Sequence, residues 1–506
     1  MSGSGTDNVA LRLHELAHGL PLFASVNDAD PVITSLTNDS REAAPGALFV
    51  AIKGEKADGH DYIPEAVERG ASALVCQAIP FPAPHCPVLQ VADSRAALGR
   101  LADRFYGSPS RKLRITGITG TDGKTSTTEI LRTILNEAGR PAGSIGTLGY
   151  RIEERWLDSD LTTPDPIALH RSFRRMLDVG LRDVCMEVSS HSLIHQRVAE
   201  VAFDAAVLTN ITQDHLDTHG TRENYIRAKR LLFQGLGPDA VAVLPADNEF
   251  GKRFRPATDA TVLTYGIRNL ADVKGRILSL DMNGMEVLVR TPFETYAVRT
   301  ALIGDYNCLN ILAAATVAFA FSIGGEVVKE ALRGLRGIPG RLEKVRVPGR
   351  SDLPTVCVDY AHTPDALQKV LSVLRPLVKG KLICVVGCGG DRDRTKRPLM
   401  GRIAARLADV AVLTADNSRG ERTEDIIAEM MSGIDSGLVD YRTEPDRRRA
   451  MELAVELAAS PDSMVAICGR GCERYQKTGG RNIPFDDRAV AREILERIPV
   501  RRKKSA

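Results

Sequence analysis

The chain has 506 residues, of which 43% are hydrophobic and 26% are charged. This balance is typical of a folded globular protein and excludes wholesale disorder, and at roughly 150 residues per domain the length predicts three domains. The net charge of +3 comes from a basic C-terminal tail, Arg501 to Lys504. The rest of the chain is therefore close to neutral, which excludes a nucleic-acid-binding surface and a nucleic-acid partner.

The N-terminus and the cysteines indicate the compartment. Residues 1–8 have no basic segment followed by an apolar stretch, and the nine cysteines are scattered and odd in number. We therefore expect reduced thiols and a cytoplasmic protein. The longest apolar run, at 311–323, is too short to span a bilayer, so we expect no membrane span and interpret the run as a buried helix.

Turn-rich segments near residues 110 and 341 predict three α/β domains. Residues 1–110 predict a smaller N-terminal α/β domain. In residues 111–341, apolar strands alternate with amphipathic helices, which is typical of a mostly parallel sheet with helices on both faces. Residues 342–506 repeat the alternation and predict a Rossmann-like α/β domain. The strands are expected at 47–52, 73–76, 113–119, 183–188, 205–210, 241–245, 355–359, 381–387, 411–415 and 464–468.

A glycine-rich loop follows the predicted strand at 113–119 and precedes an amphipathic helix. It reads Gly120-Thr121-Asp122-Gly123-Lys124-Thr125. A strand, a glycine loop, a Lys-Thr pair and a helix together present backbone N–H groups and a helix N-terminus to phosphates. We expect P-loop-type ATP binding here, with Lys124 on the β- and γ-phosphates and the Thr125 hydroxyl on Mg²⁺.

Polar side chains follow two more strands of the predicted central sheet. Glu187 closes the strand at 183–188, where a nucleotide-bound Mg²⁺ needs hard oxygen ligands. His215 lies in a polar loop after the strand at 205–210. Each is also compatible with an ordinary polar strand end or loop, so the prediction of a metal site depends on their meeting at one edge of the sheet.

Lys229 shares one helical face with two aromatic residues. Tyr225 and Phe233 lie one turn before and one turn after it. A lysine in this setting can simply extend its ammonium group to water. If it is instead partly desolvated, it can carry a neutral amine, which reacts with carbon dioxide to form a carbamate. The carbamate would be an anion able to organise a metal ion.

These motifs together resemble the Mur ligase family, the ATP-dependent amide-forming enzymes of peptidoglycan precursor synthesis. The similar segments are Asn38 to Arg41, Pro45 to Ala51, Asp58 to His60, Glu187 to Leu193, His215 to Gly220, Tyr225 to Phe233 and Asp359 to Asp365. Within the family, the chain is most similar to the branch that adds the third peptide residue to UDP-N-acetylmuramoyl-L-alanyl-D-glutamate. The resemblance implies a monomer with ATP and Mg²⁺ as cofactors and an acyl-phosphate intermediate.

The resemblance also implies roles for individual residues. The catalytic and metal-binding groups would be Lys124, Thr125, Glu187, His215 and a carbamylated Lys229. ATP would contact Gly120, Thr121, Asp122, Gly123, Lys124, Thr125, Asn307, Asn310, Arg341 and Asp359. The UDP-muramoyl-dipeptide would contact Asn38, Ser40, Thr162, Thr163, Ser189, His195 and Arg197. His195 departs from the family pattern, which commonly has glutamine at this position.

The C-terminal domain of this family selects the incoming amino acid. meso-Diaminopimelate differs from lysine by one extra carboxylate, which an arginine binds in bidentate fashion and a lysine does not. Asp416-Asn417-Ser418-Arg419 resembles the Asp-Asn-Pro-Arg motif of the diaminopimelate-adding enzymes, with Ser418 in place of proline. Arg392, Gly469 and Glu473 match the other amino-acid contacts, and Glu473 suits the ammonium group. We therefore expect meso-diaminopimelate, with L-lysine as the alternative.

Two further classes stay open at this point. A folylpolyglutamate synthase has a similar central domain, but its phosphate loop lies much nearer the N-terminus. The loop here is preceded by about 110 residues, which is enough for a separate domain and favours a UDP-sugar substrate. A P-loop regulatory ATPase would instead bind a partner and hydrolyse ATP without ligation.

Overall fold

The structure is a computed structural model that describes residues 9–54, 57–153, 155–157, 159, 161–212, 216–435 and 440–499. Contacts divide the chain into two compact units. The first holds the residues up to Gly275 together with Val289–Thr295 and Leu309–Ala331, and the second holds Arg276–Leu288, Tyr296–Cys308 and the residues from Leu332 onwards. The boundaries near residues 110 and 341 stay a prediction. Within the described ranges, no helix has the length and apolar character that a membrane crossing needs.

The N-terminal part of the first unit is a small α/β layer. Its elements are β1 (Leu11–Arg12), α1 (Leu13–Ala17), β2 (Leu22–Val26), β3 (Val32–Ile33), β4 (Ser35–Thr37), β5 (Ala47–Val50), α2 (Ile63–Glu68), β6 (Ala73–Cys76), β7 (Val88–Val91) and α3 (Ser94–Phe105). The sheet order is β2-β7-β6-β5-β4, parallel except for β2. Alternate residues of β5 face opposite sides: Leu48 packs in a cluster with Leu101 of α3, and Phe49 packs with Ile63 of α2.

The middle of the chain builds the larger sheet. Its elements are β8 (Arg114–Thr119), α4 (Lys124–Glu137), β9 (Ala142–Gly146), β10 (Gly149–Ile152), β11 (Arg155–Leu157), α5 (Pro166–Asp178), β12 (Asp183–Glu187), α6 (Ser190–Ile194), β13 (Ala205–Leu208), α7 (Leu216–His219), α8 (Arg222–Gln234), β14 (Val241–Pro245), α9 (Glu249–Phe254), β15 (Thr261–Gly266), β16 (Val273–Asp281), β17 (Gly284–Arg290), β18 (Thr295–Thr300), α10 (Tyr306–Ala320) and α11 (Gly325–Gly334). In the first unit the order β9-β12-β8-β13-β14-β15 is parallel, and β10 and β11 extend it in antiparallel fashion. The prediction of a mostly parallel central sheet is confirmed.

Strand register brings the functional loops of this sheet to one edge. Glu187 of β12 pairs with Ile118 of β8, and Leu208 of β13 pairs with Thr119 of β8. Because the three strands are parallel neighbours, their carboxyl ends lie side by side. The buried helix expected at 311–323 is α10, whose side chains Ile311 and Leu312 are buried.

The C-terminal part of the chain builds the sheet of the second unit. Its elements are β19 (Glu343–Val345), β20 (Thr355–Asp359), α12 (Pro364–Leu374), β21 (Leu382–Val386), α13 (Lys396–Leu407), β22 (Val410–Leu413), α14 (Thr423–Met431), β23 (Asp440–Thr443), α15 (Arg447–Ala458), β24 (Met464–Cys468), β25 (Tyr475–Thr478), β26 (Arg481–Pro484) and α16 (Asp487–Arg497). The order is β19-β20-β24-β21-β22-β23, parallel except for β19. Hydrophobic clusters cover both faces, as expected for a Rossmann-like domain.

Capping residues determine where several helices begin. The side chain of Asp165 accepts hydrogen bonds from the backbone N–H groups of Ile167 and Ala168, and Pro166 follows it. Thr363 caps α12 in the same way, with Pro364 next to it. Both helices follow loops at the sheet edges, so the caps also define where those loops end.

A buried ion pair lies behind the strand ends of the second unit. The Arg447 guanidinium donates to both carboxylate oxygens of Asp487, at 2.9 and 2.6 Å, and neither side chain is exposed. It also donates to the carbonyl oxygens of Ala415, at 3.0 Å, and Cys468, at 3.2 Å. Since these residues end β22 and β24 or follow them directly, one arginine joins two loops at the carboxyl edge of the sheet.

Replacing Asp487 with alanine should destabilise the second unit by about 3–5 kcal/mol, because the Arg447 cation would stay buried without its partner. The matched control is Glu493→Ala, which removes an exposed ion pair with Arg448 and should cost less than about 1 kcal/mol. Calorimetric unfolding of the two variants measures the difference. Equal losses of stability would contradict the structural role of the buried pair.

Candidate active site

The glycine loop after β8 has a backbone conformation that requires glycine at two positions. Gly120 has φ +149° and Gly123 has φ +83°. A Cβ atom on Gly120 would lie 1.9 Å from Thr209 Oγ1, and one on Gly123 would lie 2.4 Å from Asn310 Oδ1. The two glycines therefore let the loop backbone pack against Thr209 and Asn310 directly before the N-terminus of α4, in the strand, glycine loop and helix arrangement that binds phosphates.

Residues after β13 hold this loop in place. The side-chain amide of Asn210 makes two hydrogen bonds with the backbone of Asp122. Asp122 N donates to Asn210 Oδ1 at 3.0 Å, and Asn210 Nδ2 donates to the Asp122 carbonyl at 3.0 Å. Thr209 Oγ1 donates to the same carbonyl at 2.6 Å. Sequence reasoning missed both residues. The signal that could have found them is a polar pair at the end of the strand next to the glycine loop.

Two lysine amines converge on the carbonyl oxygen of Gly120. Lys124 Nζ donates to it at 2.9 Å and to the Thr121 carbonyl at 2.8 Å, and Lys229 Nζ donates to it at 2.9 Å. Lys229 is only 1% exposed. Helix α8 therefore brings Lys229 to the carbonyl of Gly120, and its carbamylation stays a prediction.

Of the two aromatic residues predicted to share a face with Lys229, Tyr225 contacts its ammonium group. The Lys229 Nζ atom lies 4.4 Å from the centre of the Tyr225 ring, and the Tyr225 hydroxyl lies 3.1 Å from Thr121 Oγ1. Such a contact is attractive for a lysine ammonium group lying over an aromatic face. Tyr225 thus contacts both Lys229 and the glycine loop, a role that the sequence does not reveal.

Glu187 lies buried at the carboxyl end of β12. Its Oε1 accepts a hydrogen bond from Thr147 N at 2.9 Å, and its Oε2 accepts one from Thr147 Oγ1 at 3.1 Å. A Cβ atom on Gly146 would lie 2.3 Å from Glu187 Oε1, so this carboxylate also depends on a neighbouring glycine. Thr147 therefore orients the carboxylate that sequence analysis proposes for the metal.

The residues predicted to hold Mg²⁺ are only partly described. Thr125 is buried at the start of α4, and Glu187 is buried at the end of β12. His215 lies outside the described residues. Across the part of the chain that the structure describes, no group of three or more His, Cys, Asp or Glu side chains could hold a metal ion. The hydroxyl and carboxylate oxygens of Thr125 and Glu187 are nevertheless the donor types that Mg²⁺ prefers.

Four predicted dipeptide contacts meet next to Glu187. Thr163 Oγ1 donates to the Glu187 carbonyl at 2.9 Å and accepts from Ser189 N at 3.0 Å. Arg197 Nη1 donates to the Thr163 carbonyl at 3.0 Å, and the Thr162 and Thr147 hydroxyl oxygens lie 3.3 Å apart. His195 is the half-buried residue at the C-terminal end of α6.

The predicted uridine contacts lie in the N-terminal sheet, after β4. The Ser40 hydroxyl is buried and donates to Glu65 Oε2 at 2.7 Å, whereas Asn38 is exposed. Hydrogen bonds from Ser40 and then Arg69 hold the pKa of Glu65 below its ordinary value.

The predicted adenine contacts lie on α10. Asn310 is buried, and its Oδ1 accepts a hydrogen bond of 3.4 Å from Thr127 Oγ1 in α4. Asn307 Nδ2 donates to the Ile303 carbonyl at 2.8 Å. The structure therefore brings Asn310 to the glycine loop within the first unit, and Asn307 belongs to the second unit.

Asp359 ends β20 and Arg341 lies just before its antiparallel neighbour β19, both in the second unit. Asp359 Oδ2 accepts from Leu342 N at 2.7 Å, and its Oδ1 accepts from Ala361 N at 2.8 Å. The Arg341 guanidinium lies 4.9 Å from the centre of the Tyr360 ring. Asp359 therefore fixes the turn that presents Arg341 beside an aromatic ring.

Two carboxylates meet in the loops after β22 and β24. Asn417 Nδ2 donates to Glu473 Oε2 at 2.7 Å, and a Cβ atom on Gly469 would lie 2.5 Å from Asp416 Oδ2. That Asp416 oxygen is buried and has no hydrogen-bond partner among the described residues. Burial first, and the Asp416 charge as well, raise the pKa of Glu473 above its ordinary value. A cationic group bound here would relieve both effects.

Two arginines flank the loop after β21. A Cβ atom on Gly389 would lie 2.8 Å from Arg419 Nη1 and 3.7 Å from Arg392 Cγ. Arg419 Nη1 donates to the Gly390 carbonyl at 2.8 Å and is half-buried, whereas Arg392 is exposed. Ser418 is buried, and its hydroxyl lies 2.9 Å from Thr478 Oγ1. The motif arginine therefore lies on a loop that is held in place although serine replaces proline.

Family comparisons agree with this arrangement. A profile described as the Mur ligase middle domain matches residues 118–318, one described as the Mur ligase glutamate ligase domain matches 340–471, and one described as the Mur ligase family catalytic domain matches 32–106. Together with the relatives given next, these matches show that the chain belongs to the Mur ligase family.

The relatives carry more specific names. UDP-N-acetylmuramoyl-L-alanyl-D-glutamate--2,6-diaminopimelate ligase from Geobacillus thermodenitrificans is 43% identical over 492 residues, covering 96% of this chain and 99% of that protein. A solved structure with the same name has a TM-score of 0.68 at 30% identity, covering 96% of this chain and 99% of the other. A folylpolyglutamate synthase structure from Mycobacterium tuberculosis shares the fold, with a TM-score of 0.61 at 19% identity over 80% of this chain and 96% of that chain.

Replacing Gly120 with alanine should displace the phosphate loop, because the new Cβ atom would collide with Thr209 while the backbone keeps a positive φ. We expect a loss of roughly 2–3 kcal/mol of stability. Gly139→Ala is the matched control: Gly139 also has a positive φ, of +70°, but nothing lies within 4 Å of its Cβ position. It should lose only about 1 kcal/mol. Thermal denaturation compares the two, and equal losses would show that the contact with Thr209 is unimportant.

Proposed function

We propose that this chain is an ATP-dependent ligase that adds meso-diaminopimelate to UDP-N-acetylmuramoyl-L-alanyl-D-glutamate in peptidoglycan precursor synthesis. The observation that carries the proposal is the identity of 43% over nearly the full length of a diaminopimelate ligase. The site geometry supports it, because a glycine loop, a buried lysine and a buried carboxylate meet at one sheet edge in the first unit.

ATP is proposed to bind the glycine loop from Gly120 to Thr125. A glycine loop that leads into a helix N-terminus suits a phosphate, and Lys124, whose Nζ contacts the carbonyls of Gly120 and Thr121, is proposed to donate to a phosphate oxygen instead when ATP binds. Asn307, Asn310, Arg341 and Asp359 are proposed as further nucleotide contacts. Bound Mg²⁺ would neutralise phosphate charge, and Thr125, Glu187 and His215 are the proposed residues that hold it.

The reaction is proposed to proceed through an acyl phosphate. The γ-carboxylate of the D-glutamyl residue attacks the γ-phosphorus of ATP, and the bond to the β-phosphate oxygen breaks to release ADP. The amine of diaminopimelate then attacks the acyl carbon, and phosphate leaves as the amide forms and the nitrogen loses a proton. Lys124 stabilises the charge on the transferred phosphoryl group, and Lys229 organises the site without acting as a nucleophile.

The acceptor substrate is proposed to span two domains. Asn38 and Ser40 would contact the uridine end in residues 1–110, and Thr162, Thr163, Ser189, His195 and Arg197 would contact the muramoyl-dipeptide in residues 111–341. Residues 342–506 would select the amino acid. Since every proposed contact comes from a single chain, we expect the protein to act as a monomer, and its nucleotide substrates fit a cytoplasmic enzyme.

The amino-acid site is proposed to combine cations for carboxylates with carboxylates for an ammonium group. Arg392 and Arg419 both lie beside the Cβ position of Gly389, where they could bind the distal carboxylate of diaminopimelate. Glu473 and Asp416, whose charge contributes to the raised pKa of Glu473, are the proposed partners of one ammonium group. Asn417, Ser418 and Gly469 shape the loops between them. L-Lysine would satisfy the acidic side of this site but would leave the arginines without a carboxylate.

An amino-acid competition assay tests the proposal. Purified enzyme, ATP, UDP-N-acetylmuramoyl-L-alanyl-D-glutamate and equal amounts of meso-diaminopimelate and L-lysine should give the diaminopimelate product by mass spectrometry. Phosphate release should require both the dipeptide substrate and an amino acid. Equal phosphate release without them would instead indicate a regulatory ATPase, and a lysine product would overturn the assigned amino acid.

Arg419→Lys is the variant that extends this assay. The substitution keeps one positive charge but loses bidentate binding, so the preference for diaminopimelate over lysine should fall by roughly tenfold or more. Arg422→Lys is the matched control, because Arg422 is 76% exposed and lies near Glu424 outside the loop pocket. An unchanged preference in Arg419→Lys would remove Arg419 from the site.

Lys229→Ala tests the proposed carbamate. The substitution removes the buried amine at Gly120, and we expect kcat to fall by roughly a hundredfold, with partial rescue by short carboxylic acids. Lys329→Ala, which removes a half-buried lysine paired with the exposed Glu326, should leave kcat unchanged. Carbon NMR with labelled bicarbonate should show a carbamate signal in the wild type but not in Lys229→Ala. Full activity of Lys229→Ala would exclude the role.

A further inference from the structure

The segment 196–202 joins the N-terminal domain to the central sheet within the first unit. It follows α6, the helix that begins after Ser189. Gln196 Nε2 donates to Asp93 Oδ2 at 2.7 Å, and Glu200 Oε1 accepts from Arg100 Nε at 3.2 Å. Asp93 is the N-cap residue of α3, and Arg100 lies within this helix. The segment therefore connects the predicted dipeptide-binding residues to the N-terminal domain.

Gln196 has a backbone conformation that a glycine would adopt more easily. Its φ is +56°, in the left-handed region. The turn ends α6: Gln196 N donates to the Leu193 carbonyl at 3.2 Å, and Arg197 N donates to the Ser192 carbonyl at 2.8 Å. Glycine is the usual residue at this position of a helix terminus. The side chain that glycine would lack is the one that reaches Asp93.

Asp93 is a charged acceptor held in a fixed orientation. Its Oδ1 accepts from Arg95 N at 2.8 Å and from Ala96 N at 3.2 Å, which caps α3, and its Oδ2 is directed at Gln196. Burial raises the pKa of Asp93, but the hydrogen bonds from Gln196 and the cap outweigh it and lower the pKa below its ordinary value. The link to Gln196 is thus a charge-assisted hydrogen bond with little freedom on the acceptor side.

The N-terminal domain packs on the central part of the first unit through α3 and α5, where Ile167 lies in the same buried hydrophobic cluster as Leu98. Beside this contact a cleft of about 360 Å³ is lined by residues that include Arg100, Asp103 and Glu200. Apolar packing holds two elements together without fixing a direction, whereas a hydrogen bond between two oriented side chains also fixes their separation. Gln196 makes such a hydrogen bond, and it lies next in sequence to Arg197.

We propose that Gln196 is a positioning residue that keeps the uridine-binding and dipeptide-binding halves of the substrate site at a fixed separation. The inference rests on the proposed function, in which one substrate molecule contacts both halves. A ligand held at two points gains affinity when the separation of the points is fixed, because binding at one raises the effective concentration at the other. Breaking the link leaves each half intact but weakens their joint binding.

Introducing a repulsion between two carboxylates, and then removing it with a second substitution, tests the proposal. Gln196→Glu places a carboxylate against Asp93, so the KM for UDP-N-acetylmuramoyl-L-alanyl-D-glutamate should rise roughly tenfold, while kcat and the KM for ATP stay within about twofold. Adding Asp93→Asn keeps the capping oxygen and supplies an amide donor to the introduced carboxylate. The double variant should recover the wild-type KM. A KM that stays unchanged in Gln196→Glu, or that fails to recover in the double variant, would overturn the proposal.

Gln196→Gly is a second variant that removes the hydrogen bond to Asp93 without introducing a charge, and it can be used if Gln196→Glu folds poorly. Glycine fits the left-handed turn, so the melting temperature should not fall, yet the KM for the whole substrate should rise roughly fivefold. The affinity for UDP alone, measured by calorimetry, should stay within about twofold of the wild type in every variant. A parallel loss of UDP affinity would mean damage to the N-terminal domain and would overturn the positioning role. Failure of the wild type to ligate this substrate would refute the proposed function itself, whereas normal ligation with unresponsive variants refutes only the inference.

Discussion

Parallel pairing of β12, β8 and β13 is the constraint on which the candidate active site depends. The pairing places the ends of three strands side by side, and each end supplies a different part: the Glu187 carboxylate, the glycine loop, and the residues that hold that loop. The arrangement works only because Gly120 lets the loop backbone approach Thr209 to a distance that no side chain would allow. The chemistry proposed for this site therefore depends on strand register first and on individual side chains second.

The second unit uses the same principle with a different support. Its loops also follow parallel strands, but a buried arginine, Arg447, joins two of them from behind through the carbonyls of Ala415 and Cys468. The support is polar because a loop backbone needs hydrogen-bond donors that an apolar core cannot supply. In front of it, the buried Arg470 guanidinium lies 3.8 Å from Glu473 Oε2, yet burial and the Asp416 charge still raise the pKa of Glu473, so the pocket favours a further cationic group.

Much of this architecture can be predicted from the sequence. Eight strands of the two large sheets, β8, β12, β13, β14, β20, β21, β22 and β24, lie within two residues of their predicted positions, because buried parallel strands are short apolar runs ended by turn residues. The other strands of these sheets, β9 to β11, β15 to β19 and β23, are not predicted from the sequence. The glycine loop and Lys229 are also predictable, since each carries a local motif. The roles of Asn210 and Thr147 cannot be predicted in this way. Each contacts a residue on a neighbouring strand or its loop, and local sequence patterns do not reveal which strands are neighbours. Gln196 is missed for a related reason: its left-handed backbone is a property of the helix end it closes.

The pairing of Ser418 with Thr478 has a consequence for how the family motif can vary. A proline at position 418 would restrict the loop through its own ring, whereas serine depends on a hydroxyl 60 residues further along the chain, in the β25–β26 hairpin. With serine, the loop conformation depends on a contact between two side chains and not on one ring. Positions 418 and 478 are therefore expected to covary among relatives: substitutions of Thr478 should be tolerated where position 418 is proline and should be rare where it is serine.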